Sequence, residues 1–87
     1  MSRTVRILYF ARLREAVGAS VEDTALPDKV ADVAQLMGWL AARGGAWQEE
    51  FDGCRQIRAA VNQELVPNSA LIKSGDEVAF FPPVTGG

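Results

Sequence analysis

The clearest candidate for chemistry in this chain of 87 residues is its last segment, Pro82-Pro83-Val84-Thr85-Gly86-Gly87. Two prolines fix the backbone angle φ and favour an extended geometry, which the β-branched Val84 and Thr85 also prefer. Gly86 and Gly87 carry no Cβ, so the backbone there can enter a space that any side chain would block. Fully extended, the segment could reach about 20 Å. The group that such a tail presents for reaction is the terminal carboxylate of Gly87.

Other residue types that commonly perform chemistry are scarce. The chain contains no histidine, which excludes Ser–His and Cys–His nucleophile pairs and histidine-ligated zinc. The single cysteine, Cys54, excludes a disulfide within the chain and fits a reducing compartment. With no second cysteine to resolve it, Cys54 is interpreted as a passive thiol. The acidic pairs Glu22-Asp23 and Glu49-Glu50 are interpreted as solvated faces, and no metal site is expected.

Charge and hydropathy restrict the partners and the location. The formal net charge is −2 and the pI is about 5.0, which argues against binding to nucleic acid. No apolar run is long enough to span a bilayer, and the N-terminus lacks a signal-peptide pattern. We therefore expect a cytoplasmic protein that binds neither nucleic acid nor membrane. The length and composition suit one globular domain, residues 1–81, followed by the tail, residues 82–87.

The first half of the chain predicts two strands and a main helix. Residues 5–10 and 20–25 favour strands, and residues 11–17 favour a short helix that ends at Gly18. The main helix begins at Asp32, because Asp32 and Gln35 have the spacing of a capping box. Its apolar stripe consists of Val33, Leu36, Met37 and Leu40. The helix is predicted to end at Gly44-Gly45, and Trp47 is assigned to a loop.

The second half predicts three short strands, at residues 57–61, 65–66 and 77–81, with turns at residues 62–64 and 74–76. This order of elements predicts an α+β fold in which one main helix packs on one face of a mixed sheet.

The face of the sheet away from the helix should be polar, but its predicted side chains are apolar. They are Leu8, Phe10, Ala60, Ala79 and Phe81, with Leu65 beside them. An apolar patch of this size on a monomer usually marks an interaction site. The alternative is that the C-terminal tail folds back over the patch. The interaction is favoured, because the proline-rich tail is suited to leaving the domain.

Three segments of the chain resemble the small subunit of molybdopterin synthase. Residues 75–87 (GDEVAFFPPVTGG) are similar to the C-terminal signature of that family, residues 59–66 (AAVNQELV) to its third strand and turn, and residues 5–18 to its opening strand and helix. The resemblance implies the β-grasp fold that the family shares with ubiquitin.

The resemblance also implies a sulfur carrier. In that family an E1-like adenylyltransferase uses ATP to adenylate the terminal glycine, and sulfur from a donor protein then displaces AMP to leave a thiocarboxylate. The thiocarboxylate supplies sulfur to cyclic pyranopterin monophosphate in the large subunit, in an assembly of two copies of each chain. The small subunit is not catalytic alone and has no permanently bound cofactor.

Carried over to this sequence, the resemblance assigns a role to eight residues. Gly87 would bear the adenylate and then the sulfur, and Gly86, Thr85 and Val84 would thread into the large subunit. The partner-facing positions would be Phe10, Arg14, Leu65 and Phe81. Three alternatives remain: a sulfur carrier for thiazole or tRNA thiolation, a ubiquitin-like protein modifier, and a binding module that uses only the apolar face.

Overall fold

A computed structural model describes residues 3–52 and 56–82. The elements in these residues are β1 (Arg3–Tyr9), α1 (Ala11–Val17), β2 (Val21–Leu26), α2 (Val33–Ala41), α3 (Gly45–Phe51), β3 (Arg58–Val61), β4 (Glu64–Val66) and β5 (Glu77–Phe81). All five predicted strands and both predicted helices are confirmed, with small shifts at their ends. Within the described ranges, no helix is long and apolar enough to cross a membrane.

The five strands form one mixed sheet in the order β2-β1-β5-β3-β4. Strands β1 and β5 run parallel, and the other neighbouring strands are antiparallel. On the inner face, Val5, Ile7 and Tyr9 of β1 and Val78 and Phe80 of β5 are buried in one core with the helices. This mixed sheet with its main helix on one face confirms the β-grasp arrangement that the resemblance implies.

The start of α2 confirms the predicted capping by Asp32. The Asp32 side chain accepts a hydrogen bond from the N–H of Gln35 at 2.8 Å, and the Gln35 side chain accepts one from the N–H of Ala31 at 2.7 Å. The Asp32 side chain thereby satisfies an N–H that the helix leaves free, whereas the Gln35 side chain binds the residue before the cap instead of the N–H of Asp32 that the predicted capping box requires. The predicted stripe packs inward: Val33, Leu36 and Leu40 are buried and Met37 is partly buried. The cap and the stripe together fix α2 across the inner face.

Helix α3 was missed, and the assignment of Trp47 to a loop is wrong. Helix α2 ends at Ala41, and Gly44 and Gly45 adopt φ values of +81° and +57°. Glycine enters this region without steric cost, so the pair reverses the chain between two helices instead of only ending one. Trp47 and Phe51 lie on α3 with their rings 6.3 Å apart. Their spacing of four residues was the signal for this helix.

The interpretation of both acidic pairs as solvated faces is wrong for one member of each pair. On β2, Asp23 is exposed, but Glu22 points to the other face and is mostly covered, because successive strand residues alternate. On α3, Glu49 is exposed, whereas Glu50 is buried and pairs with Arg12 at 3.2 Å. Asp23 and Glu49 are thus surface groups, whereas Glu22 and Glu50 hold elements together.

Glu22 lies at the centre of a polar cluster that joins β1, β2 and the helices. Its carboxylate accepts hydrogen bonds from the Tyr9 hydroxyl at 2.9 Å and from two nitrogens of Arg43 at 3.0 and 2.6 Å. The Arg43 guanidinium lies 5.1 Å from the ring centre of Trp39 and 4.5 Å from that of Trp47, within cation–π range. Hydrogen bonds from Arg43 hold the pKa of Glu22 below its usual value, and burial raises the pKa of Tyr9.

Replacing Glu22 with glutamine should lower the free energy of unfolding by about 1–2 kcal/mol at neutral pH, because the charge-assisted bonds from Arg43 are lost. Since folding lowers the pKa of Glu22 from 4.5, its carboxylate stabilises the fold above that pH, and the contribution disappears as the pH falls through the lowered pKa. The variant should therefore lose less stability than the wild type on acidification.

Urea unfolding at several pH values measures both effects, and Glu49→Gln on the exposed face of α3 is the matched control. Identical unfolding free energies for Glu22→Gln and the wild type at every pH would show that the cluster does not stabilise the fold.

Candidate functional site

An apolar row crosses the outer face of the sheet from one edge to the other. Strand register places Val21, Leu8, Ala79, Ala60 and Leu65 side by side on β2, β1, β5, β3 and β4. We call these five residues the outer stripe. Its ends are the most open, with Leu65 64% exposed and Val21 49% exposed. An open sheet face of a monomer normally presents polar side chains, so the outer stripe is a candidate binding surface.

The two central residues of the outer stripe have short side chains and lie between larger ones. Ala79 and Ala60 are 9% and 8% exposed, although neither belongs to the core cluster on the inner face. Because alanine ends at Cβ, these two positions form a shallow floor between the larger Leu8 and Leu65. The outer stripe is therefore a shallow apolar groove rather than a convex patch, and it suits a complementary apolar ridge on another molecule.

Two aromatic residues extend the apolar surface towards the end of β5. Phe81 follows Ala79 by two residues and so lies on the same face, partly exposed. Phe10 is 47% exposed, and its backbone N–H donates to the carbonyl of Phe80 at 3.2 Å, which places it beside the end of β5. Pro82 follows, half-buried. Exposed apolar side chains thus surround the point where the last strand ends.

Arg14 lies on α1, one helical turn after Phe10, and is exposed. Its carbonyl accepts a hydrogen bond from the N–H of Gly18, whose φ of +76° ends the helix. Phe10, Leu65 and Phe81 are therefore all solvent-accessible apolar positions on or beside the outer face, with Arg14 next to Phe10. The predicted tail residues Val84, Thr85, Gly86 and Gly87, as well as Cys54, lie outside the described residues.

The strand that leads to the tail is held in place from two sides. Phe80 is fully buried, with its ring 5.2 Å from that of Phe51. At the other end of β5, the Asn62 side chain accepts from the N–H of Glu77 and donates to Asp76, each at 3.0 Å. Asn62 itself has a φ of +52°, as the tight turn between β3 and β4 requires. The position of Pro82 relative to the outer stripe is therefore set by the core and by this turn.

Val21 is the member of the outer stripe that sequence reasoning missed. It pairs with Leu8 across β1 and β2, and it is among the most exposed large apolar residues. The alternation of Val21, Asp23 and Ala25 indicates that these residues share one face of β2. Which face of the sheet that is depends on the register of β2 with β1, and the alternation alone does not give that register.

A polar row borders the outer stripe on the side away from the tail. Arg6 and Asp23 form a salt bridge of 3.0 Å, and Glu77 lies opposite Arg6 on β5. Among residues 3–52 and 56–82, no three acidic or cysteine side chains lie close enough to hold a metal ion. The described part of the outer face therefore presents an apolar stripe bordered by a paired polar row.

Comparisons of the sequence and of the structure with known proteins point to the same family. The sequence model of the ThiS family matches residues 7–87. The molybdopterin synthase sulfur carrier subunit of Haemophilus influenzae is 39% identical over 83 residues, which cover 95% of this chain and 99% of the relative. A Pyrococcus furiosus structure named as molybdopterin converting factor subunit 1 is 32% identical, with a TM-score of 0.77 over 95% of this chain and 100% of that one.

Two further structures have different names. Small archaeal modifier protein 1 of Haloferax volcanii is 26% identical with a TM-score of 0.76, over 94% of this chain and 99% of that chain. A ubiquitin of Caldiarchaeum subterraneum is 12% identical with a TM-score of 0.59 over the full length of both chains. The likeness to ubiquitin shows that the fold is a ubiquitin-like β-grasp.

If the outer stripe is a surface and not part of the core, Leu65→Asp should change the free energy of unfolding by less than about 0.5 kcal/mol, since Leu65 is mostly exposed. The matched replacement in the core, Leu36→Asp, should prevent folding, because it buries an unpaired charge. Urea unfolding followed by circular dichroism measures both variants. A loss of about 2 kcal/mol or more for Leu65→Asp would mean that another part of the chain covers Leu65 in solution.

Proposed function

The chain belongs to the ThiS family, and we propose that it serves as the sulfur-carrier small subunit of molybdopterin synthase. Its relatives of that name match it over nearly their whole length. One structural observation carries the proposal: the strand that leads into the Gly-Gly tail is also the central strand of the outer stripe. A partner that binds the outer stripe therefore receives Pro82, the first residue of the tail, at a fixed position.

The proposed chemistry begins at the carboxylate of Gly87. A carboxylate is a poor acylating agent, so an E1-like adenylyltransferase first joins it to the α-phosphate of ATP and releases pyrophosphate. The resulting mixed anhydride has AMP as a good leaving group, and sulfur at the oxidation level of sulfide, supplied by a donor protein, attacks the carbonyl carbon and displaces it. The product is a thiocarboxylate, whose sulfur is a better nucleophile than the oxygen it replaces. ATP is needed only for this transient adenylate, and no permanently bound cofactor is proposed.

Transfer would take place in the large subunit, where two thiocarboxylates would each give one sulfur to cyclic pyranopterin monophosphate, which becomes a dithiolene while both tails return to carboxylates. Beyond Pro82, five residues could extend about 17 Å into that subunit. Phe10, Leu65 and Phe81 would supply the apolar contact and Arg14 a polar one, while Val84, Thr85 and Gly86 would occupy the channel. Because this chain has no histidine, the acid–base groups are assigned to the large subunit. The complex would contain two copies of each chain and act in the cytoplasm.

A ubiquitin-like protein modifier is the second candidate, favoured by the similarity to the small archaeal modifier protein. Such a protein would use the same Gly87 to form an isopeptide bond with a lysine. Immunoblotting of cell extracts distinguishes the two candidates, because a modifier gives conjugates of higher mass and a carrier gives only the free chain. The two functions share activation and differ in the group that attacks Gly87.

Deleting Gly87, or adding one residue after it, should abolish adenylation and sulfur transfer. One residue moves the terminal carbonyl by about 3 Å or more, whereas attack requires the reacting atoms to lie ~3–3.5 Å apart. ATP–pyrophosphate exchange with the activating enzyme measures the first step, and formation of the dithiolene product measures the second. Cys54→Ala is the control and should remain active. A deletion variant that still accepts sulfur would refute the carrier function.

Phe81→Asp should weaken binding to the large subunit by about 2–4 kcal/mol, because the complex would bury an unpaired charge. The free chain should still fold, with some loss of stability, because Phe81 is mostly covered but lies outside the core cluster. Leu71→Asp is the matched control: Leu71 is 70% exposed and lies outside the outer stripe, in a bridge to Asp32. Calorimetric titration gives the affinities. Equal affinities for Phe81→Asp and Leu71→Asp would place the partner on another surface.

A further inference from the structure

A cleft of about 680 Å³ opens at the edge of the sheet beside Leu65. Met37 of α2 and Ile57, Ala59 and Val66 of the strand region form its apolar wall. It exists because the ladder between β3 and β4 ends at the pair Ala59 and Val66. Pro67 follows, lacks a backbone N–H and turns the chain away from β3. Within the part of the chain that the structure describes, Ile57 and Arg58 therefore have no neighbouring strand on that side.

The polar groups of the cleft are suited to an anion. Gln56, Arg58 and Asn68 line it, and none of the nine lining residues is acidic. Arg58 is exposed and makes no ion pair or side-chain hydrogen bond with any described residue. Arg14 is likewise exposed and without an ion pair among the described residues, whereas the guanidinium groups of Arg6, Arg12 and Arg43 each have a carboxylate partner. Arg58 is thus an unneutralised positive charge on a chain whose net charge is −2.

The cleft is continuous with the outer stripe. Leu65 belongs to both, and Arg58 lies directly opposite Phe81 in the antiparallel ladder between β3 and β5. Directly paired residues of such a ladder lie on the same face, with Cβ atoms about 5 Å apart. A molecule that covers Leu65 and Phe81 therefore also covers Arg58. To reach Met37 and Ile57, which lie on the inner side of the sheet, it must bend around the open edge beside Val66.

We propose that this cleft receives a protruding segment of the large subunit that carries a carboxylate next to an apolar side chain. The carboxylate pairs with Arg58, and the apolar side chain packs against Met37, Ile57 and Val66. The occupant is assigned to the large subunit because the cleft is continuous with the outer stripe, and the inference thus rests on the proposed function. Arg58 then acts as a specificity-determining residue, since a charge pair at the rim of an interface selects the partner and speeds its association.

The test is the affinity of the full-length chain for its large subunit, measured by calorimetry at about 50 and 200 mM salt. Arg58→Glu should weaken binding about tenfold or more at low salt, and it should reduce the decrease in affinity that salt causes for the wild type. Arg58→Lys should restore most of the affinity. Lys73→Glu is the matched charge reversal, because Lys73 is exposed and precedes the opposite end of β5; it should bind like the wild type.

The outcomes separate the inference from the proposed function. If the wild type binds, Phe81→Asp weakens binding and Arg58→Glu does not, the outer stripe is the interface and the role of Arg58 is refuted. If the wild type does not bind the large subunit at all, the proposed function fails and the inference fails with it. If the free chain self-associates and Arg58→Glu abolishes this, the cleft belongs to a second copy of the chain, which also overturns the inference.

Discussion

The structure depends on the packing of one short strand. Strand β5 lies between β1 and β3, and Val78 and Phe80 insert into the core with no exposed surface. Side chains of a strand alternate between its faces. The buried residues therefore also fix the positions of the β5 residues that point to the outer face. The same packing determines where Pro82 leaves the sheet. A loss of order in β5 would therefore displace the binding surface and the base of the tail together.

This constraint explains why the fold exposes apolar groups at a cost in solubility. A chain of 87 residues has little surface to spare, and the outer face is the only side of β5 that the core does not use. Placing Ala79 and Ala60 at its centre limits the apolar area presented to water while keeping the groove apolar. Larger residues remain at the edges, where Val21 and Leu65 are exposed. The face is thus compatible with a free chain and with a bound one.

Most of the fold could be predicted from the sequence, since alternation in the strands and the stripe of α2 are local signals. Helix α3 was missed because Gly44-Gly45 is equally compatible with an end and with a reversal, and the single four-residue spacing of Trp47 and Phe51 is too short a pattern to decide between them. The roles of Glu22 and Glu50 also depend on partners distant in sequence, Arg43 and Arg12. Phe10, Leu65 and Phe81 could be assigned to the outer face, but Val21 and the cleft beside Arg58 depend on strand register and on where a ladder ends. Local sequence patterns do not predict the roles of residues whose contacts are distant in the sequence.

The central claim is that sulfur is carried at the C-terminus, and intact-mass spectrometry tests it most directly. The chain would be purified from cells that also produce its activating enzyme and sulfur donor, and fragmentation would locate any change in mass. The account predicts one replacement of oxygen by sulfur, confined to Gly87, that disappears when the activating enzyme is absent. A chain without this replacement under those conditions, or sulfur found on Cys54 instead, would contradict it.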